Sequence, residues 1–178
     1  AYQAIVTEKP SINANPKIVL HQSIVDNAYD AGIYCVNSSL QADNSLISNC
    51  GSNIILSYGG NYNFTNCTVV AYSSNYLAHK NPVLTVNNFI EQSGVFFTAD
   101  INAVFRNNIF WGDDGIVKDE AVVNRQGANT FTVLFDKNIY KATNDPTNAT
   151  LNGNIKNANP LFDSIDVNRK IFDFRITK

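Results

Sequence analysis

A six-residue pattern recurs along this chain and limits what it can fold into. The pattern begins with an apolar residue, carries Asn or Cys at its fourth position, and usually ends with an apolar or aromatic residue. Its clearest copy is FRNNIF (residues 105–110); FTNCTV (64–69), ISNCGS (47–52) and FDKNIY (135–140) repeat it, and IVDNAY (24–29) and TVNNFI (85–90) are weaker copies. Such a repeated unit predicts a chain built from stacked repeats.

The residue types decide which kind of repeat this is. The fourth positions are Asn27, Cys50, Cys67, Asn88, Asn108 and Asn138, which lie 17 to 30 residues apart. The copies are rich in β-branched, aromatic and Asn residues, and they lack the i, i+3, i+4 spacing of helical repeats. Leucine is too sparse for a leucine-rich horseshoe. The sequence therefore predicts an all-β fold, a right-handed parallel β-helix (a solenoid) of about six coils with insertions at its rim.

Stacked coils place equivalent residues directly above one another, one strand spacing apart. We expect two internal rows, one of Phe64, Phe105 and Phe135, and a second of Val69, Ile90, Phe110 and Tyr140. The asparagines at the fourth position suit a left-handed corner, and their amides can bond to each other along the stack. Cys50 and Cys67 occupy the same small slot in adjacent coils, where side-by-side strands suit a disulfide poorly. We expect free, buried thiols.

The composition supports β-coils and excludes two classes of partner. Only 16% of the residues are charged, the net charge is −2, and the 27 asparagines outnumber the 15 acidic residues. No Lys/Arg run or basic aromatic stripe is present, so nucleic acid is not an expected partner. The longest apolar runs have the length of a strand, so no transmembrane segment is expected in this chain.

One domain is predicted over residues 1–178. Residues 1–17 form a lead-in strand or the remnant of an earlier coil, residues 18–143 form the coils, and residues 144–178 form a C-terminal loop and tail. Insertions at residues 71–82 and 112–129 interrupt the coils. Because the chain has no Met and ends abruptly, we expect it to be a fragment of a longer protein.

A set of motifs in the C-terminal half carries a family resemblance. In order, these are NNIFWG (107–112), Asp119 with Glu120, FDKNIY (135–140), NPLFD (159–163) and FDFRI (172–176). They resemble the C-terminal part of the right-handed β-helix surface proteins of Bacteroidetes, including those with choice-of-anchor tails. The resemblance implies an exported protein, often lipid-anchored upstream, at the bacterial outer membrane or cell surface, or secreted. Members are mostly without an assigned activity, so it implies a place and a shape more than a chemistry.

The second insertion holds the densest group of acidic residues, Asp113, Asp114, Asp119 and Glu120. Carboxylates on one rim could bind Ca²⁺, which prefers oxygen ligands, or act as acid and nucleophile in glycoside cleavage. The alternative is a solvated loop whose acidic side chains cap turns. No EF-hand spacing is present, and no cofactor is expected unless these carboxylates bind Ca²⁺.

A second set combines His79, Lys80 and Arg106. A polysaccharide lyase needs a base and a cation that neutralises the uronate carboxylate, and these residue types could supply both. The chain has only two His residues, and its net charge of −2 does not suggest a groove for an anionic polymer. Loop or packing roles are therefore favoured for these three residues.

Aromatic residues in the loops are the candidates for ligand contact. Trp111, the only Trp, could stack on a sugar ring or cap the core, and Tyr58, Tyr62, Tyr72 and Tyr76 form a denser set. Because no acid, base and orienting group converge in the sequence, the leading hypothesis is non-catalytic. It is a cell-surface scaffold or a polysaccharide-binding component that assembles with other envelope proteins. The rival hypothesis is a polysaccharide lyase or glycoside hydrolase.

Overall fold

A computed structural model describes residues 1–9, 15–74 and 77–176, and all regular structure in these ranges is β-strand. No helix able to cross a membrane occurs in them. The strands are β1 (Gln3–Glu8), β2 (Ile18–His21), β3 (Ile24–Asp26), β4 (Ala31–Asp43), β5 (Leu46–Ser48), β6 (Ser52–Thr65), β7 (Thr68–Ala71), β8 (Leu84–Asn87), β9 (Phe89–Gln92), β10 (Val95–Thr98), β11 (Ile101–Arg106), β12 (Ile109–Gly112), β13 (Ala121–Asn124), β14 (Phe131–Asp136), β15 (Ile139–Tyr140), β16 (Thr150–Asn152), β17 (Ile155–Lys156), β18 (Phe162–Asp166) and β19 (Ile171–Ile176).

Two parallel sheets form the body of the protein. The large sheet has nine strands, ordered β1-β4-β6-β11-β14-β16 with β2, β8 and β13 attached, and the small sheet has six, ordered β3-β5-β7-β12-β15-β17. In the chain, each strand of the small sheet comes directly after a strand of the large sheet; for example, β7 follows β6 and β12 follows β11. The predicted all-β fold with parallel sheets is confirmed.

The core contains the first predicted aromatic row. Phe64, Phe105 and Phe135 are partners in register on β6, β11 and β14, and all three are fully buried. Their successive ring centroids lie 5.5 and 4.9 Å apart, within the range of favourable aromatic contacts.

The second predicted row is right except at one position. Val69, Phe110 and Tyr140 are aligned on β7, β12 and β15. Ile90 is not among them, because it lies on β9. This strand pairs with β10 in an antiparallel hairpin that belongs to neither the large sheet nor the small sheet.

Amide side chains stack at the corner between the large and small sheets, as predicted. Asn108 Nδ2 donates to Asn138 Oδ1 at 3.1 Å, and Asn138 Nδ2 donates to Asn154 Oδ1 at the same distance. Each Asn also satisfies a buried carbonyl, as Asn138 Nδ2 does for Phe105 O at 2.9 Å. We call the residues at this corner, one from each small-sheet crossing, the corner ladder: Ser23, Ser45, Cys67, Asn108, Asn138 and Asn154.

The residue with the left-handed backbone precedes the ladder residue. Asn66, Asn107 and Lys137 have φ between 54° and 56°, so the third position of the pattern makes the turn and the fourth points inward. The expectation that the fourth position takes the left-handed conformation was wrong for these copies. Asn66 and Asn107 have short polar side chains, which tolerate that backbone, and Lys137 adopts it too. The fourth position needs a small inward group instead.

The recurring pattern marks more than one corner, so its copies do not form a single row. The copies at residues 24–29 and 47–52 lie at the far side of the small sheet, where Ala28 N donates to Cys50 Sγ at 3.4 Å. The copy at residues 85–90 lies at another bend, where Asn88 is bonded to Gln126 N and O. Along the corner ladder, bonded residues are separated in sequence by different amounts. The separation is 22 residues for Ser23–Ser45, 41 for Cys67–Asn108, 30 for Asn108–Asn138 and 16 for Asn138–Asn154. Cys50 and Cys67 therefore belong to different corners, and all three cysteines are free and buried.

The predicted boundaries shift in two places. Residues 112–129 include β13, a strand of the large sheet, and the loop expected after residue 143 includes β16 and β17. The lead-in contains β1, which pairs with β4. The tail forms the β18–β19 hairpin, whose Phe174 ring lies 6.1 Å from the Tyr72 ring.

Candidate functional site

The small sheet places Trp111 and Lys141 side by side at its surface. Trp111 is on β12 and Lys141 follows β15, and these strands pair in parallel with Phe110 opposite Tyr140. Lys141 Nζ lies 5.8 Å from the centroid of the partly exposed Trp111 ring, a cation–π distance. The ammonium also lies 2.8 Å from Asp114 Oδ1 and donates to the carbonyls of Gly112 and Asp113. It therefore fixes the segment that follows Trp111.

A surface pocket of about 370 Å³ lies beside this ring. Its lining includes an aromatic face, two apolar side chains, two ammonium groups, a carboxylate and polar groups of the neighbouring loop. We call it the Trp111 pocket, lined by Trp111, Asp114, Val117, Lys118, Lys141, Ala142, Thr143 and Asn157. An aromatic wall surrounded by a few polar groups is the composition of a site for a ligand with apolar and hydroxylated faces.

A larger groove of about 560 Å³ lies elsewhere, between β19 and the corner residues Asn44 and Asn66. Its Phe174 ring is already stacked within the tail and against Tyr72, and Phe172 lies against Phe174. We place more weight on the Trp111 pocket because its aromatic ring borders polar side chains from two loops.

Beneath the pocket, His79 lies between two carboxylates. Nδ1 is 3.2 Å from Asp113 Oδ1 and Nε2 is 3.2 Å from Glu120 Oε2. The side chains of His79 and Glu120 are 1% and 0% exposed. We call these three residues the His79 array; it joins the loop that follows β7 to the loop that follows β12.

The charge state of the array follows from its geometry. Burial lowers the pKa of His79, but contact with Glu120 and then with Asp113 outweighs it, so the pKa is raised above its usual value. Burial raises the pKa of Asp113, but hydrogen bonds from Ser73 and His79 outweigh this and lower it. A carboxylate at each ring nitrogen favours the imidazolium. Glu120 Oε2 also accepts from Val83 N at 3.4 Å, whereas Glu120 Oε1 has no hydrogen-bond partner among the described residues.

Gly112 covers the array, and only glycine fits there. A Cβ at this position would overlap Glu120 Oε1 and His79 Cε1. Gly112 is itself buried and lies between Trp111, at the surface, and Asp113, in the array. The array therefore lies directly under the backbone that carries the Trp111 pocket.

The four acidic residues of the second insertion do not converge on one point. Asp113 faces His79, Asp114 faces Lys141, and Glu120 is internal. Asp119 Oδ1 accepts from Thr143 N at 2.7 Å and Asn144 N at 2.8 Å, a turn-capping role. No group of three or more His, Cys, Asp or Glu residues that could hold a metal ion occurs in the described part of the chain.

The lyase-like set is not brought together either. Lys80 is exposed on its loop, and Arg106 lies on β11, where its Nε is 2.8 Å from Asp136 Oδ2. Only His79 of the three belongs to the candidate site.

The tyrosines separate into different environments. Tyr62 is in the core, and its hydroxyl donates to Gly59 O and accepts from Ser38 N, so it is not available to a ligand. Tyr58 is a partly exposed corner residue with φ of 58°. Burial, followed by the charges of Asp113 and Asp114, raises the pKa of Tyr72 to about 12. Tyr76 lies outside the described residues.

Sequence reasoning missed Lys141, although a signal for it was present. Trp111 is the residue after FRNNIF, and Lys141 is the residue after FDKNIY. Aligning these two copies and reading one position further places the cation beside the indole. The same alignment, carried to FTNCTV, places Ala71 beside Gly112, as observed.

The fold and the site together define an all-β protein of parallel sheets with an aromatic pocket over a buried charged array. Comparison with protein-family models, curated proteins and solved structures gave no match. The function is therefore inferred from the residues and their geometry.

Proposed function

We propose that this chain is a right-handed parallel β-helix of six coils that acts as a non-catalytic, polysaccharide-binding scaffold. Support for the fold comes from the corner ladder, which has six members, one for each strand of the small sheet. A stack of this kind offers a rigid face on which a long polymer can lie.

The Trp111 pocket is the observation that carries the binding proposal. Its indole offers an apolar face to a sugar ring, and Asp114, Lys118 and Lys141 offer charged hydrogen-bonding groups at its border. Lys141 is held against the indole by the neighbouring backbone and Asp114. A polar group fixed before binding loses less conformational entropy when the ligand arrives.

Burial of the His79 array supports a non-catalytic role. A general acid or base must come within hydrogen-bond reach of the substrate, directly or through one water. His79 and Glu120 lie under Gly112 with almost no exposed side-chain surface. Because they join two loops, their charges can be explained by a role in stabilising the fold.

The rival function, a polysaccharide lyase or glycoside hydrolase, has one observation in its favour. Asp113, His79 and Glu120 form a contiguous chain of acid–base groups, and Asp113 is the chain neighbour of Asp114 in the pocket lining. Catalysis would require the segment at Gly112 to move so that substrate reaches the imidazole.

A polysaccharide panel tests both functions when binding and product release are recorded together. Because Trp111 is the only Trp, its fluorescence reports on this pocket alone. We expect a fluorescence change with binding and no release of oligosaccharides. Trp111→Ala should weaken binding, measured by calorimetry, about tenfold or more, since a buried aromatic anchor contributes roughly 2 kcal/mol; Trp111→Phe should retain part of it. Product release that disappears in His79→Gln would instead establish the enzyme.

We also propose, from the family resemblance, that the protein is exported and works at a bacterial cell surface with other envelope proteins. The upstream gene sequence and surface labelling of intact cells test this. A gene with neither a signal sequence nor a lipid-attachment Cys, and a protein protected from the label, would contradict it.

A further inference from the structure

Arg125 differs from the other three arginines because it has no carboxylate within ion-pair distance among the described residues. Arg106, Arg169 and Arg175 each pair with an aspartate. The Arg125 guanidinium instead lies over the Phe131 ring, with Cζ 5.3 Å from the ring centroid, and makes no side-chain hydrogen bond to a described residue. A cation–π contact does not by itself consume the five N–H donors of a guanidinium. Arg125 therefore has donors available for an anionic ligand.

A surface pocket of about 410 Å³ lies beside this guanidinium. Its lining combines one cation with hydroxyl and amide groups and contains neither Asp nor Glu; we call it the Arg125 pocket, lined by Arg125, Phe131, Thr132, Val133, Thr147, Asn148, Ala149 and Thr150. Arg125 is also the only charged residue between Glu120 and Asp136. No acidic side chain of this stretch therefore competes with an anionic ligand for the guanidinium.

The backbone that carries Arg125 is fixed on both sides. Before it, Asn124 Nδ2 donates to Asn87 Oδ1 at 2.9 Å. After it, Gln126 N donates to Asn88 Oδ1 and Gln126 O accepts from Asn88 Nδ2, both at 2.8 Å, and Asn88 is fully buried. Together with the ring contact, this anchoring restricts the guanidinium before a ligand arrives, so less conformational entropy is lost on binding.

The opposite wall of the pocket comes from the segment that leads into β16. Asn148 Nδ2 donates to Val123 O at 3.0 Å, which joins this segment to β13. Thr147 precedes β16, Thr150 begins it, and both are exposed. Small-molecule sites have volumes of roughly 300–1,000 Å³, so the pocket has room for more than a bare oxyanion. Its hydroxyl-rich lining suits a hydroxylated ligand that carries an anionic group.

We propose that the Arg125 pocket binds an acidic sugar, with its carboxylate or sulfate group at Arg125 and its hydroxyl groups at the threonines. The planar fork of a guanidinium can donate to two oxygens of such a group at once. The Arg125 pocket shares no lining residue with the Trp111 pocket. It is therefore a second site, and the inference does not depend on binding at Trp111.

A titration followed by nuclear magnetic resonance tests the site, because the Nε–H signal of Arg125 reports on this pocket. The probes are glucuronate, glucose as its neutral counterpart, and inorganic sulfate. We expect glucuronate to shift the signals of Arg125 and Thr132, with a Kd in the millimolar range. Glucose should bind about tenfold more weakly or less, since it lacks the charged hydrogen bonds. Sulfate should compete with glucuronate for the same signals.

Variants of Arg125 identify the group that binds. Arg125→Gln should weaken glucuronate binding about tenfold or more, and Arg125→Lys, which keeps the charge but loses the fork, should weaken it less. Arg125 is exposed, so both variants should keep a melting temperature close to that of the wild type. The matched control is Arg169→Gln, at an exposed arginine already paired with Asp166, which should bind like the wild type. Trp111→Ala should bind glucuronate at Arg125 unchanged.

Three results would overturn the proposal. The first is that glucuronate does not bind, or binds no better than glucose. The second is that Arg125→Gln keeps the wild-type affinity for glucuronate. The third is that sulfate binds while glucuronate does not, which would indicate a site for free anions.

Discussion

The corner ladder and the His79 array both satisfy polar groups inside the protein, but with different chemistry. The ladder uses neutral groups, and its amides are well paired: Asn138 accepts from the N–H of Asn108 and donates to the carbonyl of Phe105 and to the amide of Asn154. The array uses charges, and Glu120 Oε1 lacks a hydrogen bond within the described residues. A repeated neutral network can extend along the stack without accumulating charge, whereas a buried charged group depends on its single set of partners. The two regions should therefore respond differently to mutation and pH.

The largest effect is expected when the array loses its internal carboxylate. Glu120→Ala leaves the buried His79 without its fully buried charge partner, and breaking a buried pair costs about 3–5 kcal/mol. The measurement is the free energy of unfolding by urea at pH 7. Asp114→Ala is the control, because Asp114 is fully exposed and should change stability little. Equal losses from both variants would mean that the array is not a stabilising pair.

A somewhat smaller loss is expected in the ladder. Asn138→Ala leaves Asn108 N and Phe105 O without partners, and two unsatisfied buried groups should cost about 2–4 kcal/mol in total. Asn102→Ala, at an exposed position of β11, should stay within about 0.5 kcal/mol of the wild type. A loss in Asn138→Ala no larger than in Asn102→Ala would show that the ladder contributes little.

The pH dependence separates the two regions directly. The pKa of His79 is raised in the folded state, so the stability that it contributes is present below its unfolded pKa and is lost as pH rises through the folded value. Asp113, whose pKa is lowered, and Tyr72, at about 12, titrate outside this window. Wild type and Asn138→Ala should both lose stability above about pH 6.5, the usual His value, and His79→Gln should lose less over the same range. Parallel curves for His79→Gln and wild type would contradict a charged imidazole.

The smallest effect concerns the cation above the array. Lys141→Met removes the contact with Trp111 and the bonds to the Gly112 and Asp113 carbonyls, and we expect a loss of about 0.5–1 kcal/mol, the size of a partly exposed cation–π contact. Trp111 fluorescence should shift as well. Lys80→Met is the control, because Lys80 is exposed and is not among the residues that line the Trp111 pocket, and it should leave the spectrum unchanged.

The part of the ladder formed by Cys67, Asn108 and Asn138 could be predicted from the sequence and the array could not, for a physical reason. Amides at a repeated corner recur along the chain, so comparing the copies of the pattern is enough to match Asn108 with Asn138. His79 and Asp113 are 34 residues apart on separate loops, and neither loop repeats. Their meeting depends on Ala71 lying opposite Gly112, a register that emerges only when the copies are aligned correctly.

The stacking of Tyr72 against Phe174 has a consequence for how the chain folds. Most contacts in the two parallel sheets join neighbouring strands of the stack, so they can form one after another as the chain is added. The Tyr72–Phe174 contact instead joins residues more than half the chain apart. Closing so long a loop costs entropy that only an already ordered sheet can offset, so the β18–β19 hairpin should dock last. Its arrival then marks the end of folding, after the order of the strands has been decided.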